Sequence, residues 1–278
     1  MSGTVLLTGA SHGIGLATAE HLANAGYNVY ATCRDPAKAE NLQNLASKGL
    51  KITILPLDVN SEESINKAVA TILKNEGTID VVVNNAGFGI YGPSETHTIE
   101  EMKRIFDTNV LGVMRVNQAV VPIMRKQLKG RIINIGSISG AIPSKNMPLY
   151  SASKAALESL TASDAHRLAR WNIKFSLIQA GPVITNFEPR TLFGSRFSKL
   201  ENLYADTLLE DREKWKKVMD EGQSPFEVAE TIKLAIESPE PNLWYQTSKA
   251  VSEAINKHFR DLTGNGRIPQ PIQVYSKV

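Results

Sequence analysis

Short apolar runs of strand length recur along the chain, and stretches with helical spacing of apolar positions separate most of them. The runs predicted to form strands are residues 4–8, 28–33, 51–57, 79–83, 130–135, 173–179 and 243–245. The stretches predicted to form helices are residues 16–25, 36–47, 62–75, 98–126, 150–170, 225–238 and 251–262. This alternation predicts an α/β fold whose sheet has about seven strands.

One predicted helix contains a residue that helices rarely tolerate. Pro122 lies inside the 98–126 stretch, where its missing N–H removes a hydrogen bond from the helix. We therefore expect a kink or a break at Pro122.

Composition and charge place the chain among ordinary globular proteins. Its 278 residues show no linker and no internal repeat, which predicts a single domain over residues 1–278. A net charge of +3 without a basic run gives no indication of nucleic-acid binding. Cys33 is the single cysteine, which excludes an intramolecular disulfide, and no metal-binding motif is present. We find no signal peptide and no membrane-spanning run, and expect a cytoplasmic location.

A glycine-rich turn directly follows the first predicted strand. Gly9, Gly13 and Gly15 lie between this strand and the helix predicted from Leu16. Glycines allow a tight turn and close approach of the backbone to a pyrophosphate, and the N–H groups at a helix start bind that anion. In this context the turn indicates a dinucleotide-binding site rather than a plain strand–helix connection.

Arg34 ends the second predicted strand, where an acidic residue would bind the ribose 2′-hydroxyl of NAD. An arginine at this place suits a 2′-phosphate, which predicts NADP(H) as the cofactor. His12, in the glycine-rich turn, is placed to add a second donor. The alternative is that Arg34 is a solvated surface arginine.

Tyr150 and Lys154 are four positions apart, so that they share one face of a predicted helix. A phenol and an ammonium both titrate near about pH 10 when free, and a nearby ammonium favours the phenolate. We therefore expect Lys154 to lower the pKa of Tyr150 and make it a general acid and base. The same spacing also occurs by accident on many helices.

Four motifs occur in the order found in the short-chain dehydrogenase/reductase family, which this sequence resembles. TGASHGIG at residues 8–15 is similar to the family's glycine-rich loop, and NNAG at residues 84–87 matches its second motif. Ser137 lies 13 positions before Tyr150, and Tyr150 to Lys154 matches YxxxK. The resemblance extends to about residue 185, and it implies a Rossmann-like, doubly wound parallel sheet flanked by helices.

The resemblance also implies roles for single residues. Ser137 would orient a carbonyl oxygen, with Ser139 as a competitor, and Tyr150 would transfer the proton. Lys154 would hold the ribose hydroxyls. Asn109 would bend its helix and anchor a proton-relay water, although it could also be a satisfied amide. The cofactor-binding residues that the resemblance implies are Gly9, Ser11, His12, Gly13, Ile14, Gly15, Arg34, Asp58, Val59, Asn85, Ala86, Gly87, Tyr150, Lys154, Gly181, Val183 and Thr185.

Two of the implied cofactor positions have alternatives or depart from the family. Asp58 resembles the family's adenine-contacting aspartate, but a turn or helix-cap aspartate explains it equally well. Ala180 stands where the family usually has a proline before Gly181, although the Pro-Val-x-Thr that follows is retained.

The second half of the chain resembles a narrower branch. Residues 176–183, 227–230 and 239–241 are similar to the 17β-hydroxysteroid (estradiol) dehydrogenase and photoreceptor-type retinol dehydrogenase branch, and so are residues 30–35 in the first half. This implies hydride transfer between NADP(H) and a hydrophobic alcohol, ketone or aldehyde, such as a steroid, retinoid or lipid. The alternatives are a 3-oxoacyl-thioester reductase and a non-catalytic NADP(H)-sensing protein. The family further implies a homodimer or homotetramer.

Residues 186–223 follow the segment expected to meet the nicotinamide, and we expect them to form a helical substrate lid. The aromatic side chains Phe187, Phe193 and Phe197 either line an apolar pocket or pack the lid onto the body. The proline-containing segment 265–278 is expected to be loose.

Overall fold

The computed structural model describes residues 3–185, 187, 191–196 and 210–260. The strands within these ranges are β1 (Thr4–Leu7), β2 (Asn28–Cys33), β3 (Ile52–Pro56), β4 (Val81–Asn84), β5 (Ile90–Tyr91), β6 (Gly130–Ile135), β7 (Ile173–Gln179), β8 (Leu192–Phe193) and β9 (Trp244–Gln246). Seven of them form one sheet in the order β3-β2-β1-β4-β6-β7-β9, and every neighbouring pair is parallel. The predicted parallel α/β sheet is therefore confirmed.

Helices cover both faces of this sheet. In chain order they are α1 (Gly13–Asn24), α2 (Glu40–Ala46), α3 (Glu62–Glu76), α4 (Ile99–Phe106), α5 (Gly112–Gln127), α6 (Ile138–Ala141), α7 (Pro148–Leu168), α8 (residues 210–220), α9 (Pro225–Glu237) and α10 (Lys249–Arg260). Alternate strand residues enter two different cores: Leu7 packs with α1, α2 and α9, whereas Leu6 packs with α3 and α5. Burial of both faces explains why the strands are continuous apolar runs.

The strand order changes direction between β1 and β4. From β1 the chain proceeds outward to β2 and β3, and then returns to β4 on the other side of β1. In open parallel sheets, ligands bind beyond the carboxyl ends of the strands at such a point. The glycine-rich turn after β1 and the NNAG segment after β4 both lie there.

The predicted helix over residues 36–47 is wrong as a single element. A 3-10 turn, Pro36–Lys38, precedes α2, and Ala39 between them leaves helical geometry with φ −102° and ψ 53°. Ala39 is buried in the core beside β2, so tertiary packing turns the chain at this residue.

The predicted helix over residues 98–126 consists of three segments. A π-helical segment, Asp107–Leu111, joins α4 to α5 and contains Asn109. The helix does not break at Pro122: α5 continues through this residue to Gln127. Pro122 and Gln118, whose helical hydrogen bond the proline removes, both lie on the exposed face, so no buried polar group is left unpaired.

The strands β5 and β8 form a separate two-stranded parallel sheet that the sequence pattern did not predict. Two residues a strand are too few for a periodic pattern to be recognised. Of the predicted lid, residues 186, 188–190 and 197–209 lie outside the described residues, as does the predicted tail at 265–278. Among the helices that are described, none has the length and apolar character needed to span a membrane.

Candidate active site

A cavity of about 700 Å³ opens at the carboxyl ends of the central strands. Gly15 is the one predicted cofactor-binding residue that does not line it. The predicted residues that do are Gly9, Ser11, His12, Gly13, Ile14, Arg34, Asp58, Val59, Asn85, Ala86, Gly87, Tyr150, Lys154, Gly181, Val183 and Thr185. Residues taken from six separate stretches of the sequence therefore meet in one place.

The glycine-rich turn is fastened to the end of β4. Asn85 donates its side-chain amide to the carbonyl oxygens of Thr8 (3.0 Å) and Gly9 (2.8 Å), and Thr8 Oγ1 accepts the N–H of Asn85 (3.0 Å). Gly9 has φ +67°, and a Cβ there would lie 2.8 Å from Ala86 Cα. Gly15 packs directly behind this turn, against Gly9 and Asn85, rather than on the cavity.

Buried asparagines tie the central strands to the helices that carry the site. Asn84 donates its side-chain amide to Asn117 on α5 (3.0 Å) and to Asn134 on β6 (2.9 Å). Asn134 in turn donates to Thr161 on α7 (2.9 Å). These bonds hold α7 at a defined position over the sheet.

The end of β2 presents an exposed arginine to the cavity. Arg34 and His12 both line it, and His12 occupies the N-cap position of α1. The neighbouring carboxylate, Asp35, accepts the N–H of Ala37 (3.1 Å) and pairs with Lys38 (3.1 Å). The guanidinium of Arg34 thus faces solvent at the rim of the cavity.

Asp58, after β3, forms a local turn as well as lining the cavity. Its carboxylate accepts the N–H of Asn60 at 3.0 Å, and its own N–H bonds to Ser64 Oγ at 3.0 Å. The hydrogen bonds of Asp58 are therefore those of a turn residue. Its contact with an adenine stays a prediction.

Ser137, at the end of β6, is the serine that meets the tyrosine. It caps α6, accepting the N–H of Ser139 at 3.1 Å, and its side chain interacts with the phenol of Tyr150, whose pKa it lowers against the effect of burial. Ser139 lines the same cavity. The structure therefore pairs Tyr150 with Ser137, which leaves Ser139 as the neighbour that orients Ser137.

Tyr150 and Lys154 both lie buried on α7, and burial controls their titration. Lys154 Nζ donates to the carbonyl oxygen of Ile135 (2.6 Å) and lies 5.7 Å from the centroid of the Tyr150 ring. Burial lowers the pKa of Lys154 to about 8 and raises the pKa of Tyr150 to about 12, with the Ser137 hydrogen bond acting in the opposite direction on Tyr150. The expected lowering of the Tyr150 pKa is therefore wrong for this structure, because desolvation of the phenolate dominates.

Asn109 does not line the cavity, and its side-chain amide is hydrogen-bonded to other protein groups. Its amide donates to Phe88 O (3.0 Å) and Ser153 Oγ (3.1 Å), and its oxygen accepts the N–H of Phe88 (3.1 Å). Ser153 in turn donates to the carbonyl oxygen of Tyr150 (2.7 Å). Asn109 thus links the loop after NNAG to the first turns of α7, and a water held by Asn109 stays a prediction.

One end of the cavity is apolar and aromatic. Phe187 packs on Tyr150, with ring centroids 5.6 Å apart, and Trp215 of α8 also lines the cavity. Phe193 packs on Tyr91 instead, at 5.5 Å, and Phe197 lies outside the described residues. Both interpretations of the lid's aromatic residues therefore hold, for different side chains.

Several lining residues were missed by the sequence interpretation. Phe88, Met147 and Met219 all reach the cavity at its apolar end. Isolated apolar residues in loops and on a charged helix carry no periodic signal, so only the fold places them here.

Comparison with known proteins now assigns the chain to a family. The family model described as short chain dehydrogenase matches residues 3–191. The chain belongs to this family. Retinol dehydrogenase 8 from Homo sapiens is 37% identical over 272 residues, covering 94% of this chain and 86% of the relative. The 17-beta-hydroxysteroid dehydrogenase type 1 from Homo sapiens is 34% identical over 275 residues, covering 95% of this chain and 83% of the relative.

A solved structure supports the same assignment. The crystal structure of a short-chain dehydrogenase from Streptomyces avermitilis matches with a TM-score of 0.82 and 29% identity, covering 99% of each chain. The predicted family, branch, fold and enzyme class are confirmed: this protein is an oxidoreductase of the short-chain dehydrogenase family, whose members bind a nicotinamide cofactor. The backbone of Gly9, Gly13 and Ile14 lines the cavity at the start of α1, which fits the close approach of such a cofactor.

Proposed function

We propose that this protein transfers a hydride between NADP(H) and the carbonyl or alcohol group of a hydrophobic small molecule. The observation that carries the proposal is the arrangement of Ser137, Tyr150 and Lys154 in one cavity with an apolar, aromatic end. A hydroxyl pair and a buried cation provide proton transfer, and the apolar end provides a binding site for the substrate.

The residues around the glycine-rich turn would hold the cofactor's phosphates. The N–H groups at the start of α1 favour a pyrophosphate, and Arg34 with His12 favours a 2′-phosphate over a bare ribose hydroxyl. Asp58 and Val59 would meet the adenine. When bound, the nicotinamide ring supplies or accepts the hydride.

The proton would move at the phenolic oxygen of Tyr150. With its pKa raised to about 12, the phenol is protonated at neutral pH and can donate to a developing alkoxide during reduction. Ser137 would hydrogen-bond the same substrate oxygen and fix its orientation. Lys154, which is charged below about pH 8, would stabilise the phenolate left after donation and bond the ribose hydroxyls.

The apolar end of the cavity favours a hydrophobic substrate. Phe187, Met147, Leu192 and Trp215 line this end, and Phe187 lies directly against Tyr150. Apolar walls exclude water from the reacting groups and offer little to a polar ligand. The names of the relatives, retinol dehydrogenase and 17-beta-hydroxysteroid dehydrogenase, support a retinoid-, steroid- or lipid-like substrate. A homodimer or homotetramer and a cytoplasmic location stay predictions.

A substrate panel tests the proposal. Oxidation of NADPH by the purified protein would be followed with steroid ketones, retinal, medium-chain aldehydes and a 3-oxoacyl thioester, each repeated with NADH. We expect turnover of a steroid, retinal or aldehyde and a preference for NADPH. Turnover of the thioester alone would refute the substrate class, and equal use of NADH would refute the cofactor preference.

A further inference from the structure

The hydroxyl of Thr247, just after β9, accepts hydrogen bonds from two residues. One lies in the segment that follows β7, and the other pairs with that segment. Thr247 Oγ1 accepts the N–H of Gly181 at 3.3 Å and the side-chain amide of Gln223 at 2.5 Å. The N–H of Thr247 donates to the carbonyl oxygen of Gln179 at 3.4 Å. Thr247 thus contacts the chain on both sides of Ala180.

Gln223 extends this attachment to the next residues of the segment. Its N–H donates to Pro182 O (3.0 Å), and its carbonyl oxygen accepts the N–H of Ile184 (3.0 Å), so that Val183 is paired beside it. Gln223 is part of the connection between α8 and α9. Thr247 therefore holds Gly181, and Gln223 holds Pro182–Ile184. The hydrogen bond between Thr247 and Gln223 links these two attachments.

The residue type at position 180 explains why such an attachment matters. A proline at position 180 would fix φ at that residue, whereas Ala180 leaves φ less restricted and Gly181 has no Cβ to limit its backbone. Val251 on α10 packs against Gly181, and a Cβ at residue 181 would lie 2.6 Å from Val251 Cγ2. Contacts from the C-terminal elements thus supply the restraint that the local sequence lacks.

We propose that Thr247 is a positioning residue, which holds residues 181–185 in the geometry that binds the nicotinamide end of the cofactor. The proposal rests on the proposed function, because it takes residues 181–185 as the nicotinamide segment. Thr247 itself does not line the cavity, and it would act through Gly181 and Gln223.

A second series of hydrogen bonds links Gln246, the residue before Thr247, to α7. Gln246 donates to Gln179 Oε1 at 2.6 Å, and Gln179 donates to Glu158 on α7 at 2.8 Å. Glu158 lies one helical turn after Lys154. The end of β9 is therefore coupled to the helix that carries Tyr150 and Lys154 as well as to the nicotinamide segment.

Two matched substitutions test the proposal. Thr247→Val keeps the side-chain volume but removes the acceptor, whereas Thr247→Ser keeps the acceptor. The probes are NADPH and adenosine 2′,5′-bisphosphate, which has the adenine and 2′-phosphate but no nicotinamide. In Thr247→Val we expect the Kd for NADPH to rise on the order of ten-fold, with unchanged affinity for the bisphosphate. Thr247→Ser should bind both probes as the wild type does.

Other readouts separate positioning from general stability. The increase in nicotinamide fluorescence on binding should fall in Thr247→Val, and the thermal midpoint of each variant would be recorded. If Thr247→Val folds poorly, Gln223→Met removes one of the two donors and should give a smaller change in the same direction. Equal weakening of both probes, no weakening of either, or a serine variant as weak as the valine variant would overturn the proposal. Failure of the wild type to bind either probe would instead refute the proposed NADP(H) specificity.

Discussion

The side chain of Ser137, which follows β6, faces the same cavity as the phenol of Tyr150, in the first turn of α7, and lowers the pKa of that phenol. The two residues are brought together by α6, a single helical turn that Ser137 caps. Gly140 in α6 packs against Lys154 and Glu158 of α7, so the short helix lies close to the helix that carries Tyr150. This close packing keeps the serine and the tyrosine beside each other at the cavity.

The interaction between Ser137 and Tyr150 predicts different results for the two serines of this turn. Ser137→Ala should lower kcat by about 10²-fold, because the substrate oxygen loses the group that orients it. Ser139→Ala is the matched control and should change kcat by less than about five-fold, since it is the N–H of Ser139 that bonds to Ser137. Steady-state kinetics with the best substrate of the panel would measure both. A larger loss in Ser139→Ala would assign the orienting role to that serine.

Tyr150→Phe should abolish turnover while leaving cofactor binding largely intact. The substitution removes the proton donor and very little volume, and general acid–base catalysis contributes about 10²–10⁴ in rate. NADPH titration by fluorescence and the turnover rate would be measured on the same preparation. Near-normal turnover would exclude Tyr150 as the general acid.

Arg34→Asp should shift the cofactor preference from NADPH toward NADH. Loss of a charged hydrogen bond and gain of a repulsive carboxylate should weaken NADPH binding at least about ten-fold. Lys38→Gln is the control, because Lys38 is an exposed cation in the next turn that does not line the cavity. The measurement is the ratio of the Kd for NADPH to the Kd for NADH in each variant. An unchanged ratio in Arg34→Asp would mean that this residue does not bind the phosphate.

The lowered pKa of Lys154 predicts a pH dependence of reduction. Lys154 is charged below about pH 8, whereas Tyr150 keeps its proton up to about pH 12. The rate of carbonyl reduction should therefore fall as the pH rises through about 8, because the ammonium that stabilises the phenolate loses its charge. Oxidation of the alcohol needs the phenolate beside the charged ammonium, so its rate should rise with pH up to about 8 and then level off.

Lys154→Arg provides the control for that profile. Arginine stays charged throughout this range, so any activity that remains should not decline near pH 8. A decline at the same pH in both proteins would show that another group titrates.

Substitution of Gly9 tests two properties of the glycine-rich turn: its left-handed backbone conformation and its close packing against Ala86. Gly9→Ala should destabilise the fold by about 1–3 kcal/mol through its left-handed φ, and it should also weaken cofactor binding, because the new methyl group would lie 2.8 Å from Ala86 Cα and displace the turn that lines the cavity. Gly26→Ala, with φ +92° and no atom within 4 Å of its Cβ, should be destabilised similarly but bind NADPH normally. Chemical denaturation and NADPH titration would separate the two effects. Normal binding by Gly9→Ala would contradict the close approach proposed here.

Local patterns in the sequence were sufficient for the seven strands of the main sheet and for the segments that form the site. Buried parallel strands need continuous apolar runs, and a tight turn near a phosphate needs glycine, so both features appear in consecutive residues. The order of the glycine-rich loop, NNAG, Ser137 and YxxxK predicted which segments would meet, and the cavity contains all four.

Properties that depend on packing were decided by the tertiary structure alone. The choice of Ser137 over Ser139, the turn at Ala39, and the attachment of Gly181 to Thr247 each involve residues from elements distant in sequence. The direction of the Tyr150 pKa is the plainest case. The Tyr–Lys spacing alone predicts a lowered value, but the depth of burial, which no local pattern encodes, raises it.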